Sequence, residues 1–159
     1  MAEQNNKQAS IKIEDKFKEV LVGGTLKNAL NFATFLQQNA MEYDGTRITY
    51  NNECVCYTHI DGSEQMPGPW TIWPEGDFSA QCQAVPMSER MKEIAWACVN
   101  ICTTGHCDSS PGVRKTVFGK VYDNACTSAL AFTNPDAEAL ECLKKILLMR
   151  KNEIAAAKA

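Results

Sequence analysis

Apolar residues recur at helical spacing in four stretches of the chain, and alternate or cluster in short runs between them. Over 10–22, Ile13, Phe17 and Val20/Leu21 define a first helix, followed by Gly23-Gly24, where a chain can leave a helix in a left-handed conformation. Thr25 is placed to cap a second helix reaching about Met41, with Leu26, Ala29, Leu30, Ala33, Leu36 and Ala40 on one face. Ser88 precedes Met91, Ile94, Ala95, Cys98 and Ile101/Cys102, which predicts a capped amphipathic helix ending near Gly105. Asn134-Pro135-Asp136-Ala137-Glu138 joins a cap, a first-turn proline and acids that suit the positive end of a helix dipole. A fourth helix is therefore expected from 135 to about 154, burying Ala139, Cys142/Leu143, Ile146/Leu147, Met149 and Ile154.

Between the second and third helices the pattern changes to that of strands. Asp44-Gly45 is a turn signal, and 47–50 faces 53–60 across Asn51-Asn52 as in a hairpin. After a loop punctuated by Gly62, Pro67, Gly68 and Pro69, Trp70-Thr71-Ile72-Trp73 reads as a third strand stopped by Pro74. Residues 116–118 and 128–132 are further strand candidates, separated by the turn-prone Tyr122-Asp123-Asn124. Together these elements predict an α+β protein: an antiparallel sheet of about four to five strands packed against two to four helices. One domain over 1–159 is expected, with 1–9 and 155–159 frayed, and no internal repeat is visible.

Composition narrows the function classes. An apolar fraction of 45% and a charged fraction of 22% belong to a chain that folds. A formal charge of −3 supplies no overall positive field, so neither nucleic acid nor an anionic membrane is an expected partner. The polar start, Met1-Ala2-Glu3-Gln4-Asn5-Asn6, lacks the features of a signal peptide, and no apolar run is long enough to span a bilayer, so a cytoplasmic location is expected.

In that compartment the eight cysteines are not expected to form disulfides. Cys98 and Cys102 stand at i, i+4 on the expected helix and would share a face. With Cys107, His106 beside it and Cys126 further on, they form the best candidate metal set, for zinc, although the usual C-x2-C spacing is missing. The competing reading is that these thiols are small core residues. None of the common cysteine runs for iron-sulfur clusters is present. Cys54 and Cys56 would face one side of a strand, as ligands or as core. Nucleophilic catalysis needs a base in reach, and the only histidines are His59 and His106. His59 would point away from Cys56 on the strand, which leaves Cys107 with His106 as the candidate catalytic pair.

Trp70 and Trp73 must face opposite sides of their strand, so one ring is available to a pocket or interface. Trp70, Tyr50 and Tyr57 are the candidate ligand-binding walls of a pocket between sheet and helices, against the alternative that they fill the core. Arg114, Lys115 and Lys120, near Phe118 and Tyr122, make a local basic cluster suited to a phosphate or single strand, against the alternative of a solvated surface. There is no G-x-S-x-G elbow and no H-E-x-x-H, and Gly112 to Gly119-Lys120 misses the phosphate-loop spacing.

Arg-Lys-Thr-Val-Phe-Gly-Lys-Val-Tyr-Asp-Asn-Ala-Cys at 114–126, the Asn-Pro-Asp-Ala-Glu helix start at 134–138 and Trp-Thr-Ile-Trp at 70–73 resemble a family of small cysteine-containing cytoplasmic proteins of anaerobic Gram-positive bacteria, uncharacterised in activity. The resemblance covers roughly the C-terminal half. It implies a bacterial cytoplasmic setting, draws attention to Cys102 through Cys126, and transfers no catalytic residue. Where that family carries a C-x2-C type arrangement, the loop here reads Cys102-Thr103-Thr104-Gly105-His106-Cys107. The leading expectation is a non-enzymatic module that binds a small molecule or a protein partner in a concave, aromatic-lined site. The alternatives are a zinc or thiol-redox protein built on Cys98, Cys102, Cys107 and Cys126, and a hydrolase or transferase using Cys107.

Overall fold

The computed structural model describes residues 12–61, 68–79, 87–102 and 112–157. Helices α1 (Ile13–Val20) and α2 (Gly23–Gln38) come first, then β1 (Glu42–Tyr43), β2 (Arg47–Tyr50), β3 (Glu53–Ile60) and β4 (Trp70–Pro74). Helix α3 (Glu89–Ala97) leads into β5 (Val99–Ile101), β6 (Val113–Val117), β7 (Lys120–Leu130) and β8 (Phe132–Thr133), and α4 (Ala137–Ala157) closes the described chain.

The strands form two antiparallel sheets, a five-stranded one in the order β1-β2-β3-β4-β8 and a three-stranded one in the order β5-β7-β6. The α+β class, the strand number of the larger sheet and the helix number agree with the expectation; the second sheet is additional. Only Ala131 separates β7 from β8, so one stretch of chain serves both sheets in turn.

Side-chain alternation decides which face of the larger sheet is inside. Cys56, Thr58 and Ile60 oppose Pro74, Ile72 and Trp70, and Ile72 opposes Phe132. This face meets the helices: the Trp70 ring lies 5.0 Å from Phe17 of α1 and 5.6 Å from Phe32 of α2. From α4, Leu140, Leu143, Ile146 and Leu147 complete the same core, all at most 2% exposed. The amphipathic periods that predict the helices thus mark the surface that the sheet buries.

Helix ends show where local rules hold and where packing overrides them. Ser88 caps α3 as expected, its Oγ accepting the Met91 N–H at 3.1 Å. The fourth helix starts two residues later than expected, because Asp136 takes the capping role: its Oδ1 accepts the Ala139 N–H at 2.8 Å. It also continues through Ala157, so 155–157, expected to fray, are helical. Helix α2 begins at Gly23, inside the glycine pair expected to end α1, and Thr25 is not its cap. The largest correction concerns α3, which ends at Ala97 instead of near Gly105. Cys98 is its C-cap, and the β-branched Val99 opens a strand paired with β7, opposite Leu130. Cys98 and Cys102 therefore do not share a helix face.

The turn expected at Tyr122-Asp123-Asn124 lies inside β7. The hairpin instead reverses at Phe118-Gly119, with φ of +46° and +89°, the left-handed pair that a two-residue hairpin with the sheet's twist requires. Among the described residues, no helix is long and apolar enough to cross a membrane.

Candidate functional site

The aromatic residues singled out from the sequence do not line one pocket. Trp70 is fully buried in the core, and its indole Nε1–H makes no hydrogen bond among the described residues. Tyr57 projects from the opposite face of the sheet, beside Trp73 and Arg47 in register, and is 41% exposed. Tyr50 is half-buried at the sheet's end under Lys151 of α4, whose Nζ stands 5.0 Å from the ring centroid. Of the two tryptophans on β4, the outward one is Trp73.

The candidate metal set is distributed over separate elements. Cys98 caps α3 and Cys126 sits within β7. Cys102 follows β5, where its backbone N–H donates to Asn124 O at 2.9 Å and its carbonyl accepts from Asn124 Nδ2 at 2.7 Å. Cys107 and His106 lie outside the described residues. Cys54, Cys56, Cys98 and Cys142 are free thiols, and no group of three or more His, Cys, Asp or Glu suited to a metal ion occurs among the described residues. Burial pushes the thiol pKa of Cys54, Cys56, Cys98 and Cys142 upward, opposite to the shift that activates a nucleophile. His59 Nε2 is 3.7 Å from Asp61 Oδ2, too long for a hydrogen bond.

A concave site forms elsewhere, where the end of β4 meets the β6–β7 hairpin. Leaving β4, the Glu75 N–H donates to Val55 O at 3.0 Å, and Gly76 takes φ +141°, which lets the chain turn away from the sheet. Asp77 then holds the turn, its Oδ1 accepting the Ser79 N–H at 3.0 Å and the Ser79 hydroxyl at 2.5 Å. Phe78 is buried with its ring 5.8 Å from that of Phe118, and its carbonyl accepts the Phe118 N–H at 3.1 Å. Trp96 of α3 secures the same hairpin tip, donating Nε1–H to Val117 O at 2.8 Å.

The turn at 74–79 forms one wall of a groove of about 410 Å³, and β6 with part of β7 forms the other. Arg114 and Lys115 both line it, although consecutive residues of a regular strand face opposite sides. The register between β6 and β7 shifts beside them, with Asp123 and Asn124 of β7 together spanning the position opposite Arg114, a bulge on the partner strand. No protein-family model, curated protein or solved structure matches the chain. What the groove can do is therefore argued from its own residues.

Glu75 and Asp77 stand on the turn, Arg114 and Lys115 on the strand, with Thr116 and Thr127 adding hydroxyls and Val117 and Ala129 an apolar floor. Arg114 Nε is 3.4 Å from Asp123, a pair so exposed, at 75% and 85%, that it holds the guanidinium weakly. Lys115 Nζ donates to Thr127 O at 2.5 Å, which braces β6 against β7. Lys120, the third member of the basic cluster, stands 5.5 Å from both the Trp96 and Tyr122 rings. The sequence marks Pro74 as a strand stop and Arg114-Lys115 as basic; Glu75, Gly76 and Asp77 were missed, and nothing in the linear pattern joins the two walls.

Proposed function

We propose that the protein is a non-enzymatic α+β binding module that takes a small polar molecule in the groove between the 74–79 turn and β6. The observation carrying this reading is the groove itself. Its volume of about 410 Å³ suits a small ligand, its floor is apolar, and its rim carries donors and acceptors from two elements braced against each other through Phe78 and Phe118. The raised thiol pKa values of Cys54 and Cys98 suit core thiols better than nucleophiles, since a nucleophilic cysteine needs stabilised thiolate. The absence, among described residues, of a membrane-spanning helix is in keeping with the cytoplasmic setting we propose.

The test is amide chemical-shift mapping of the 15N-labelled protein against a library of small polar compounds. Hits are expected to shift Gly76, Ser79, Thr116 and Thr127 together. Hits that instead shift Tyr57 and Trp73, or a library that shifts nothing, would refute the assignment of the site.

A further inference from the structure

Resting on the groove reading above, we infer that its ligand is dipolar, a zwitterion of the amino-acid or short-peptide class, with its ammonium toward the 74–79 turn and its carboxylate toward β6. The two walls differ in sign. Glu75 and Asp77 come from the turn, and Arg114 and Lys115 come from the strand. A purely anionic ligand gains from the strand and is opposed by the turn, and a cationic one meets the reverse; only a ligand with separated charges is favoured by both walls.

Two successive cations of β6, Arg114 and Lys115, both reach the groove, which concentrates positive charge on that wall. The hydroxyls of Thr116 and Thr127 are suited to the amide or side-chain polar atoms of such a ligand. Braced by the Phe78–Phe118 contact and the Asp77–Ser79 bonds, the two charged walls keep their separation without a ligand present.

Three probes of nearly one shape separate the possibilities: glycylglycine, its N-acetyl derivative and its C-terminal amide, titrated by amide shifts into the full chain. Glycylglycine should bind in the groove about three- to fivefold more tightly than either singly charged analogue, as expected for losing one solvent-accessible ion pair. Glu75→Gln should weaken glycylglycine and bind the anionic N-acetyl probe as tightly or more tightly, whereas Arg114→Gln should weaken glycylglycine and bind the cationic amide as tightly or more tightly. Equal groove shifts from all three probes would overturn the dipole inference and leave the groove as a binding site. Silence from all three, with groove shifts from other polar compounds, would also overturn the inference alone; silence from every compound would overturn both.

Discussion

Burial of the Cys142 thiol makes a prediction with a definite sign. Cys142 lies on α4 with no exposed surface, and its Sγ–H donates to Met91 O at 3.3 Å, tying α4 to α3. Burial, with a smaller contribution from the nearby Cys98, pushes its pKa from 9.0 up to about 12. The folded state therefore keeps the proton while the unfolded chain releases it above pH 9. Stability from this thiol is fully present below that value and is lost as pH rises toward 12. At pH 10 the loss is at most about 1.4 kcal/mol, or about 3–6 °C in Tm for a protein of this size. Cys142→Ala removes the sulfur, costing about 1–2 kcal/mol at pH 8, and also removes the titration. Urea unfolding of both proteins at pH 8 and pH 10 should show the stability gap between them shrinking toward zero at the higher pH. The buried Cys56, whose pKa is also raised, acts on both proteins alike and cancels in the difference. A gap of the same size at both pH values would refute the argument from burial.

Two further outcomes separate structural from functional roles. Trp70→Ala should destabilise the fold by about 3–5 kcal/mol in urea unfolding, because the ring is fully buried between Phe17 and Phe32; Tyr57→Ala, on the outer face, should cost under about 1 kcal/mol. Elemental analysis of untagged protein purified under reducing conditions should find well under one zinc per chain; near-stoichiometric zinc, with thiols released by a chelator, would revive Cys98, Cys102, Cys107 and Cys126 as a site.

The elements legible in the sequence were those in which local chemistry and tertiary packing agree. The β2–β3 hairpin follows the boundaries that Asn51-Asn52 imply, and both asparagines adopt positive φ, +50° and +65°. In α4, caps, acids and apolar period all point the same way. Legibility failed where a strand partner distant in sequence made the decision. The apolar period through Cys98 and Ile101 suits a helix, yet 99–101 is claimed by β7 about thirty residues later. Asn124 looked like a turn residue because its side chain competes for backbone bonds, and it does make such a bond, but to Cys102 O on the neighbouring strand. The true reversal was concealed because its first residue is Phe118, a bulky residue type uncommon at positive φ, whose ring lies 5.8 Å from that of Phe78.

The same early end of α3 bears on what the cysteines are for. Had the helix run to Gly105, Cys98 and Cys102 would have stood one turn apart and offered two thiolates to one metal. Ending at Ala97 instead leaves Cys98 close enough to Cys142 to influence its thiol and places Cys102 at a strand end, held by one backbone bond to Asn124 and one from its side-chain amide. The strand that replaces the helix pairs with β7, and β7 carries β6 along its other edge. That arrangement makes β7 the central strand of the second sheet, and residues of β6 and β7 line the groove facing the 74–79 turn. A change of backbone state at Cys98 thus takes away the shared helix face on which the Cys98–Cys102 reading rested and supplies the edge strand that pairs with β7.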